Sequence, residues 1–224
     1  MVTTDMVYEA FRRFLVKQLR ICDEDTVHVG EACNCLRKSY YTRKHGSKDL
    51  SHIAPSKRVI LGLGMSTHLV FEEVLRELGY KTEQQVVREY DCFKLAGTPD
   101  AVGGDHIVEI KTCNKLPDEP LPHHVMQLNG YLGLLGFRKG YIVYICKRDG
   151  NVRIFQVGFN QRLFDRLVER ARQLHEHLKS DTPPPPEPSF LCQYCEWKWK
   201  CYNSRQKQNY DDVKIQFKTY DNTR

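Results

Sequence analysis

Residues 97–111 read GTPDAVGGDHIVEIK, and the placement of two acids and a lysine within this stretch decides the fold. Gly103-Gly104-Asp105 supplies the residues a tight turn needs, so the apolar runs on either side form two antiparallel strands. Side chains alternate along a strand, which puts Glu109 and Lys111 on one face and sends Ile110 into the core. Asp100, on the neighbouring strand, then lies beside Glu109. Two carboxylates brought together repel, and a divalent cation relieves the repulsion while polarising a phosphate oxygen and acidifying a bound water. Lys111 beside them suits an attacking hydroxide or the charge of a phosphorane. An ordinary solvated ion pair has the same composition, so the surrounding chain has to discriminate.

Upstream, Val86, Val87 and Tyr90 mark one strand and the run from Phe93 to Val102 another. Before them, residues 64–78 have helical spacing, with Met65, His68, Glu72 and Leu75 on one stripe, so His68 and Glu72 stand one turn apart. Downstream, a helix from about Pro122 to Leu135 carries Gln127 and Tyr131 four residues apart. Residues 140–146 and 152–157 flank Asp149-Gly150 as a second hairpin. Asn160 caps a long helix whose apolar face is Phe164, Leu167, Val168, Ala171, Leu174 and Leu178. Two further helices are expected near the start, over residues 5–20 and 31–44. Ala32, Cys35, Leu36 and Ser39 share a face of the second. Helices, strands, helix, hairpin and helix in this order give an α/β protein.

Taken as an ordered set, His68, Gly-Thr-Pro-Asp100, Glu109-Ile-Lys111 and Gln127-x3-Tyr131 resemble the motifs of the RecB-like nucleases, a branch of the restriction-endonuclease-like superfamily. The resemblance implies a mixed central sheet flanked by helices. It further implies that His68, Asp100 and Glu109 hold Mg2+ or Mn2+, with the Ile110 carbonyl as a further ligand. Lys111 would assist catalysis, and Gln127 and Tyr131 would line the DNA-facing site. A lone helical histidine is more often structural, which is the reading kept for His28, His45, His52, His123 and His124.

Cys192-x2-Cys195-x5-Cys201 supplies three thiolates in a short module after a run of four prolines at 183–186, and a closed four-ligand site needs one more. Cys33 and Cys35 are the candidates, standing about 200° apart if one helix carries both. Cys35 shares the apolar face with Leu36, and Cys35-Leu36-Arg37-Lys38-x-Tyr40 resembles the first-cysteine motif of the nuclease family; Cys33 is the alternative. One cysteine upstream and three downstream of the nuclease motifs are similar to the iron–sulfur clasp of the CRISPR-associated RecB-like exonuclease family. That resemblance implies a [4Fe–4S] cluster, or [2Fe–2S]; zinc accepts the same ligands. Tyr194, Trp197, Trp199 and Tyr202 are expected to pack around it. Cys22, Cys92, Cys113 and Cys146 read as unligated thiols, with disulfides, as thermophiles use them, the alternative.

The expected organisation is an N-terminal helical region (1–62) with the first cluster cysteine, a nuclease core (63–180), a proline spacer with the cysteine module (181–208) and a polar tail (209–224). In the tail, only Val213, Ile215, Phe217 and Tyr220 alternate as in a short strand. A hydrophobic content of 41% favours a folded chain, and a formal charge of +6 permits attraction to a phosphate backbone without specifying it. No stretch approaches the roughly 18 apolar residues of a membrane span, and the N-terminal residues do not read as a secretory leader, so a cytoplasmic protein with no membrane role is expected. Nine unevenly placed cysteines do not suit a disulfide framework. There is no phosphate loop of the Gly-x4-Gly-Lys type. The family resemblance implies a 5′ to 3′ exonuclease on single-stranded DNA, processing DNA for spacer acquisition beside the CRISPR adaptation integrase proteins. The competing readings are a non-catalytic DNA-binding scaffold with a structural metal, and a repair nuclease outside CRISPR.

Overall fold

Pro99 divides the run from Phe93 to Val102, because proline has no N–H for a strand ladder and fixes its own φ. The computed structural model describes residues 2–19 and 23–201, and the two halves of this run lie in different sheets. Strands β1 (Thr26–His28), β3 (Val86–Glu89) and β4 (Lys94–Gly97) form one sheet in the order β1-β4-β3. Strands β2 (Lys81–Thr82), β5 (Ala101–Val102), β6 (Ile107–Cys113), β7 (Lys139–Cys146) and β8 (Val152–Gly158) form the other, in the order β2-β5-β6-β7-β8. In the larger sheet only β6 and β7 run parallel, and helix α5 (Pro122–Leu135) makes the crossover between them. The architecture is α/β with mixed sheets and flanking helices, as expected.

Helix α1 (Thr4–Lys17) is capped by Thr3, whose hydroxyl accepts from Met6 N at 3.3 Å. Helix α4 (Pro55–Glu77) begins well before residue 64, with Pro55 in its first turn, where the missing N–H costs nothing. The single helix expected over 31–44 is in fact two, α2 (Val29–Cys33) and α3 (Leu36–His45). Asn34 separates them: its backbone is extended, and its side-chain amide donates to Gly30 O at 2.7 Å, taking over a carbonyl near the end of α2. Cys33 therefore ends one helix and Cys35 caps the next, and the 200° separation inferred for a continuous helix does not apply.

The centre of the larger sheet, at β6, is covered on both faces. Ala101, Val108 and Ile110 pack against Phe71 and Leu75 of α4 on one side. Glu109 and Lys111 point to the other side, toward α5. Helix α6 (Gln161–Lys179), capped by Asn160 through Leu163 N at 3.1 Å, buries Phe164, Leu167, Ala171 and Leu174. Gly130 and Gly133 bring α5 close to it, since a Cβ on either would stand 2.4 Å from Leu167 or 2.3 Å from Phe164. Among the described residues no helix is long and apolar enough to cross a membrane.

The chain divides into two compact units, with the second beginning at Pro188. In the first, Arg170 of α6 donates to Ala32 O at 2.7 Å and Asn34 O at 2.6 Å, and both its terminal nitrogens bond Glu187. Glu187 also accepts from Leu36 N at 2.7 Å. This pair replaces the hydrogen bonds that the α2–α3 break leaves open. In the second unit a 3-10 turn (Phe190–Tyr194) leads to α7 (Lys198–Cys201). Among the described residues of this unit only Trp197 is buried, while Trp199 is 72% and Tyr194 65% exposed, so those two side chains lack the burial that the expected packing requires. Tyr202 and the alternating residues Val213, Ile215, Phe217 and Tyr220 lie outside the described residues.

Burial opposes charge on Glu187, but Arg170 and Leu36 N outweigh it and hold its carboxyl below the ordinary range. A depressed carboxylate pKa stabilises the fold above the unfolded-state value, and that stabilisation disappears as pH falls through the folded value. Arg170→Ala should therefore lower the thermal unfolding midpoint by about 5 °C, roughly 2 kcal/mol for a chain of this size. The gap between wild type and Glu187→Gln should close as the medium is acidified below the ordinary glutamate range.

Candidate active site

Asp100 is placed by the sheet change. It precedes β5, whose Ala101 pairs with Val108 of β6, so its carboxylate reaches the backbone just past the paired segment. Ile110 N donates to Asp100 Oδ2 at 2.6 Å, and His68 Nδ1 lies 3.1 Å from Oδ1. A strand residue presents its N–H and C=O toward the same edge, so the Ile110 carbonyl faces the side on which Asp100 sits. The Ile110 side chain is fully buried in the sheet core, as expected.

Glu109 and Lys111 share the opposite face of β6 and bond each other, Lys111 Nζ to Glu109 Oε1, at 2.7 Å. Glu109 is 2% exposed, and its second oxygen, Oε2, has no hydrogen-bond partner among the described residues. Burial and the adjacent Asp100 together push its pKa up to about 7, against the pull of Lys111. Burial disfavours the Lys111 ammonium, but Glu109 and Asp100 overcome this and raise its pKa. His68 behaves alike: burial opposes its charge, and the hydrogen bond and charge of Asp100 prevail, raising it.

The donor chemistry fits a hard divalent cation. A carboxylate oxygen buried without a donor costs free energy, most of all when ionised, unless a cation meets it, and Glu109 Oε2 is buried without a donor. Donor atoms of His68, Glu72 and Asp100 also lie within 4.8 Å of one another. Glu72 stands one turn beyond His68 on α4, and burial followed by the charge of Asp100 raises its pKa. The helical stripe already aligned Glu72 with His68, and that alignment was its sequence signal. Glu109 lies outside this group of three; the Asp100 carboxylate touches His68 with one oxygen and the Ile110 amide, next to Glu109, with the other.

Gln127 and Tyr131 lie on α5, and Gln127 Nε2 donates to the Tyr131 hydroxyl at 3.0 Å, which leaves the phenol's own proton to donate. Tyr131 is buried, and burial with the nearby Glu109 raises its pKa well above the ordinary phenol value. Its ring needs Gly97, where a Cβ would stand 2.5 Å from it. Tyr131 and Gly97 line a cavity of about 350 Å³ with Val29 and Thr98. Thr98 also borders a second cavity of about 610 Å³, which His68, Glu72 and Asp100 line as well. His124 has a different employment: its ring bonds the Tyr144 hydroxyl at 2.7 Å, and burial, with Lys111 nearby, pushes its pKa down to about 2.

The two candidate upstream cysteines differ in environment. Cys33 is buried near Lys111 and Glu109, and burial pushes its thiol up to about 12. Cys35 is half-buried at the start of α3; burial raises its thiol, opposed by the backbone N–H of Lys38, and it hydrogen-bonds the Glu187 carboxylate. In the second unit Cys192 Sγ accepts from Ser189 N at 3.4 Å, Cys195 follows the 3-10 turn, and Cys201 ends α7. Arg43 and Lys44, in the last turn of the helix that Cys35 begins, serve the scaffold: Arg43 binds Glu31 and Thr26 O, and Lys44 binds Asp181.

Residues 26–202 match the model of the PD-(D/E)XK nuclease superfamily. The CRISPR-associated exonuclease Cas4 of Saccharolobus solfataricus is 28% identical over 183 residues, covering 77% of this chain and 85% of that protein. The crystal structure of SSO0001 superposes with a TM-score of 0.69 at 25% identity, covering 86% of this chain and 95% of that one. The match spans β1 to the last described helix and so takes in Asp100, Glu109 and Lys111 within the motif that gives the family its name. The chain belongs to the PD-(D/E)XK nuclease superfamily, and the Cas4 relative bears out its resemblance to the CRISPR-associated, RecB-like branch.

Proposed function

We propose that the protein is a Mg2+- or Mn2+-dependent deoxyribonuclease that degrades single-stranded DNA from the 5′ end and processes DNA for CRISPR spacer acquisition beside the integrase proteins. The observation that carries the metal-dependent chemistry is the buried, unsatisfied oxygen of Glu109 next to Asp100 and Lys111. His68, Asp100, Glu109 and the Ile110 carbonyl would hold the ion, and Glu72 is added to this set as the acid within reach of His68 and Asp100. When bound, the cation supplies Lewis acidity to the scissile phosphate and lowers the pKa of the attacking water. His68 and the Ile110 amide fix the Asp100 carboxylate, so its orientation is set before substrate arrives. Lys111, kept charged by its two acidic neighbours, would orient the water and meet the negative charge on the non-bridging oxygens of the phosphoryl group. Tyr131, oriented by Gln127, donates toward the strand at the edge of the 350 Å³ cavity. The 28% identity to Cas4 supports the CRISPR assignment.

Cys35, Cys192, Cys195 and Cys201 would hold the iron–sulfur cluster, of the [4Fe–4S] type. The chemistry of this set fits: Cys35 stands at a helix start where the backbone N–H groups of Lys38 and Arg37 oppose the burial that raises its thiol, and the other three are cysteines of one short module. Cys33, sealed by burial beside the nuclease residues, suits a neutral thiol.

Three outcomes test these assignments. Asp100→Asn and Lys111→Ala should each reduce metal-dependent cleavage of end-labelled single strands by about 10²- to 10³-fold while circular dichroism stays unchanged. Glu109→Gln should raise the unfolding midpoint of metal-free protein above neutral pH. The raised carboxyl pKa means that stability declines as pH rises from the ordinary glutamate range through about 7, and glutamine removes that loss. Mn2+ should stabilise the wild type strongly and this variant weakly. Anaerobically purified protein should be brown; Cys35→Ala should lose the iron absorbance and Cys33→Ala should keep it.

A further inference from the structure

The cavity of about 610 Å³ beside His68, Glu72 and Asp100 is larger than a metal site requires. It falls within the roughly 300–1,000 Å³ of small-molecule pockets. One wall is apolar: Ile60, Leu61 and Leu69 of α4 line it and remain 57%, 42% and 39% exposed, with Met65 and Pro99 beside them. On another side stands Lys147, in the turn after β7. Its backbone N–H bonds Cys113 O at 2.8 Å, which fixes where the side chain starts, and among the described residues no acid pairs with its ammonium. Most other lysines near the fold's acids are committed, for example Lys44 to Asp181, Lys139 to Asp105 and Lys179 to Asp25.

An apolar wall, a cation with no acidic partner and a metal-binding edge within one cavity suit one chemical unit, a nucleotide with phosphates at both ends. We propose that the cavity is the subsite for one unpaired nucleotide of the strand being cut, with its base against Leu61 and Leu69 and Lys147 on the phosphate next to the scissile one. The occupant follows from continuity with the catalytic residues, since His68 and Asp100 form the cavity's edge, and from Lys147, the lining ammonium that offers a phosphate a partner, while the cation of the nuclease reading would offset the lining acids Glu72, Glu83 and Asp100. A base that enters a side recess has to leave its stack, which is free for a single strand and costly for a duplex. The subsite thus gives the strand preference of the nuclease reading, on which it rests, a physical origin.

The test measures binding of a short fluorescent single strand with Ca2+ in place of the catalytic metal, and steady-state cleavage with Mn2+. Lys147→Ala should raise Kd and KM on the order of fivefold, the size of one partly screened charge contact. It should lower the slope of log affinity against log salt by about one. Lys147→Arg should restore both. Leu61→Trp, at an exposed position whose replacement spares the core, should fill the recess, slow single-strand cleavage and leave Mn2+ affinity unchanged. Wild-type KM and salt slope in Lys147→Ala, or a fall in kcat alone, would overturn the subsite while leaving the nuclease intact. Binding that responds to Lys147 in a protein that cleaves nothing with either metal would instead keep the subsite and reject the nuclease reading.

Discussion

Glu109 and Asp100 are forced together at the end of a short strand pairing, and the fold around them is arranged to tolerate that repulsion. Neither acid can retreat into water. Glu109 is held by the β6 backbone with an unsatisfied oxygen, and Asp100 is pinned by His68 and the Ile110 amide. Lys111 neutralises half of the problem through one oxygen of Glu109. The remainder is a standing demand for positive charge, which raises the Glu109 pKa and which the proposed cation would meet.

The position of that demand follows from backbone chemistry. Pro99 ends β4 and lets the chain cross from the smaller sheet to the larger, so that the next residue, Asp100, projects where no strand continues beside Ile110. Gly97 admits the ring of Tyr131, and Val29 of α2 packs close to the same glycine. Helix α2 then runs back to Cys33, near Lys111, and the break after it presents Cys35 to Glu187. The residues of the nuclease site and the upstream cysteine are thus two ends of one short strut, whose final carbonyls are tied to α6 by Arg170. A change in how Cys35 is held has a direct covalent route to the packing behind Lys111.

The hairpin, the alternation at Glu109 and Lys111, the crossover helix with Gln127 and Tyr131, and the capped α6 were all legible in the sequence, because each depends on periodicity or on a strong turn or cap residue. What was not legible depends on tertiary competition. The break at Asn34 needs Gly30 O as a partner, and the helical pattern alone gave no warning of it. The early start of α4 rests on apolar side chains that the fold leaves exposed toward a cavity, so no core-facing stripe marked it. Glu72 had the right spacing but belongs to no quoted motif, and only its distance from Asp100 reveals it. The aromatics near the cysteines were read by composition, which cannot tell a buried tryptophan such as Trp197 from an exposed one such as Trp199.

The most direct test of the account is a crystal of the protein soaked in Mn2+ and measured for anomalous scattering at the manganese edge. A peak within bonding distance of Asp100 and Glu109, with Lys111 released from Glu109 toward the solvent side of the ion, is the result predicted. Full occupancy of Mn2+ elsewhere, or none at all, with the Glu109–Lys111 pair unbroken, would contradict it.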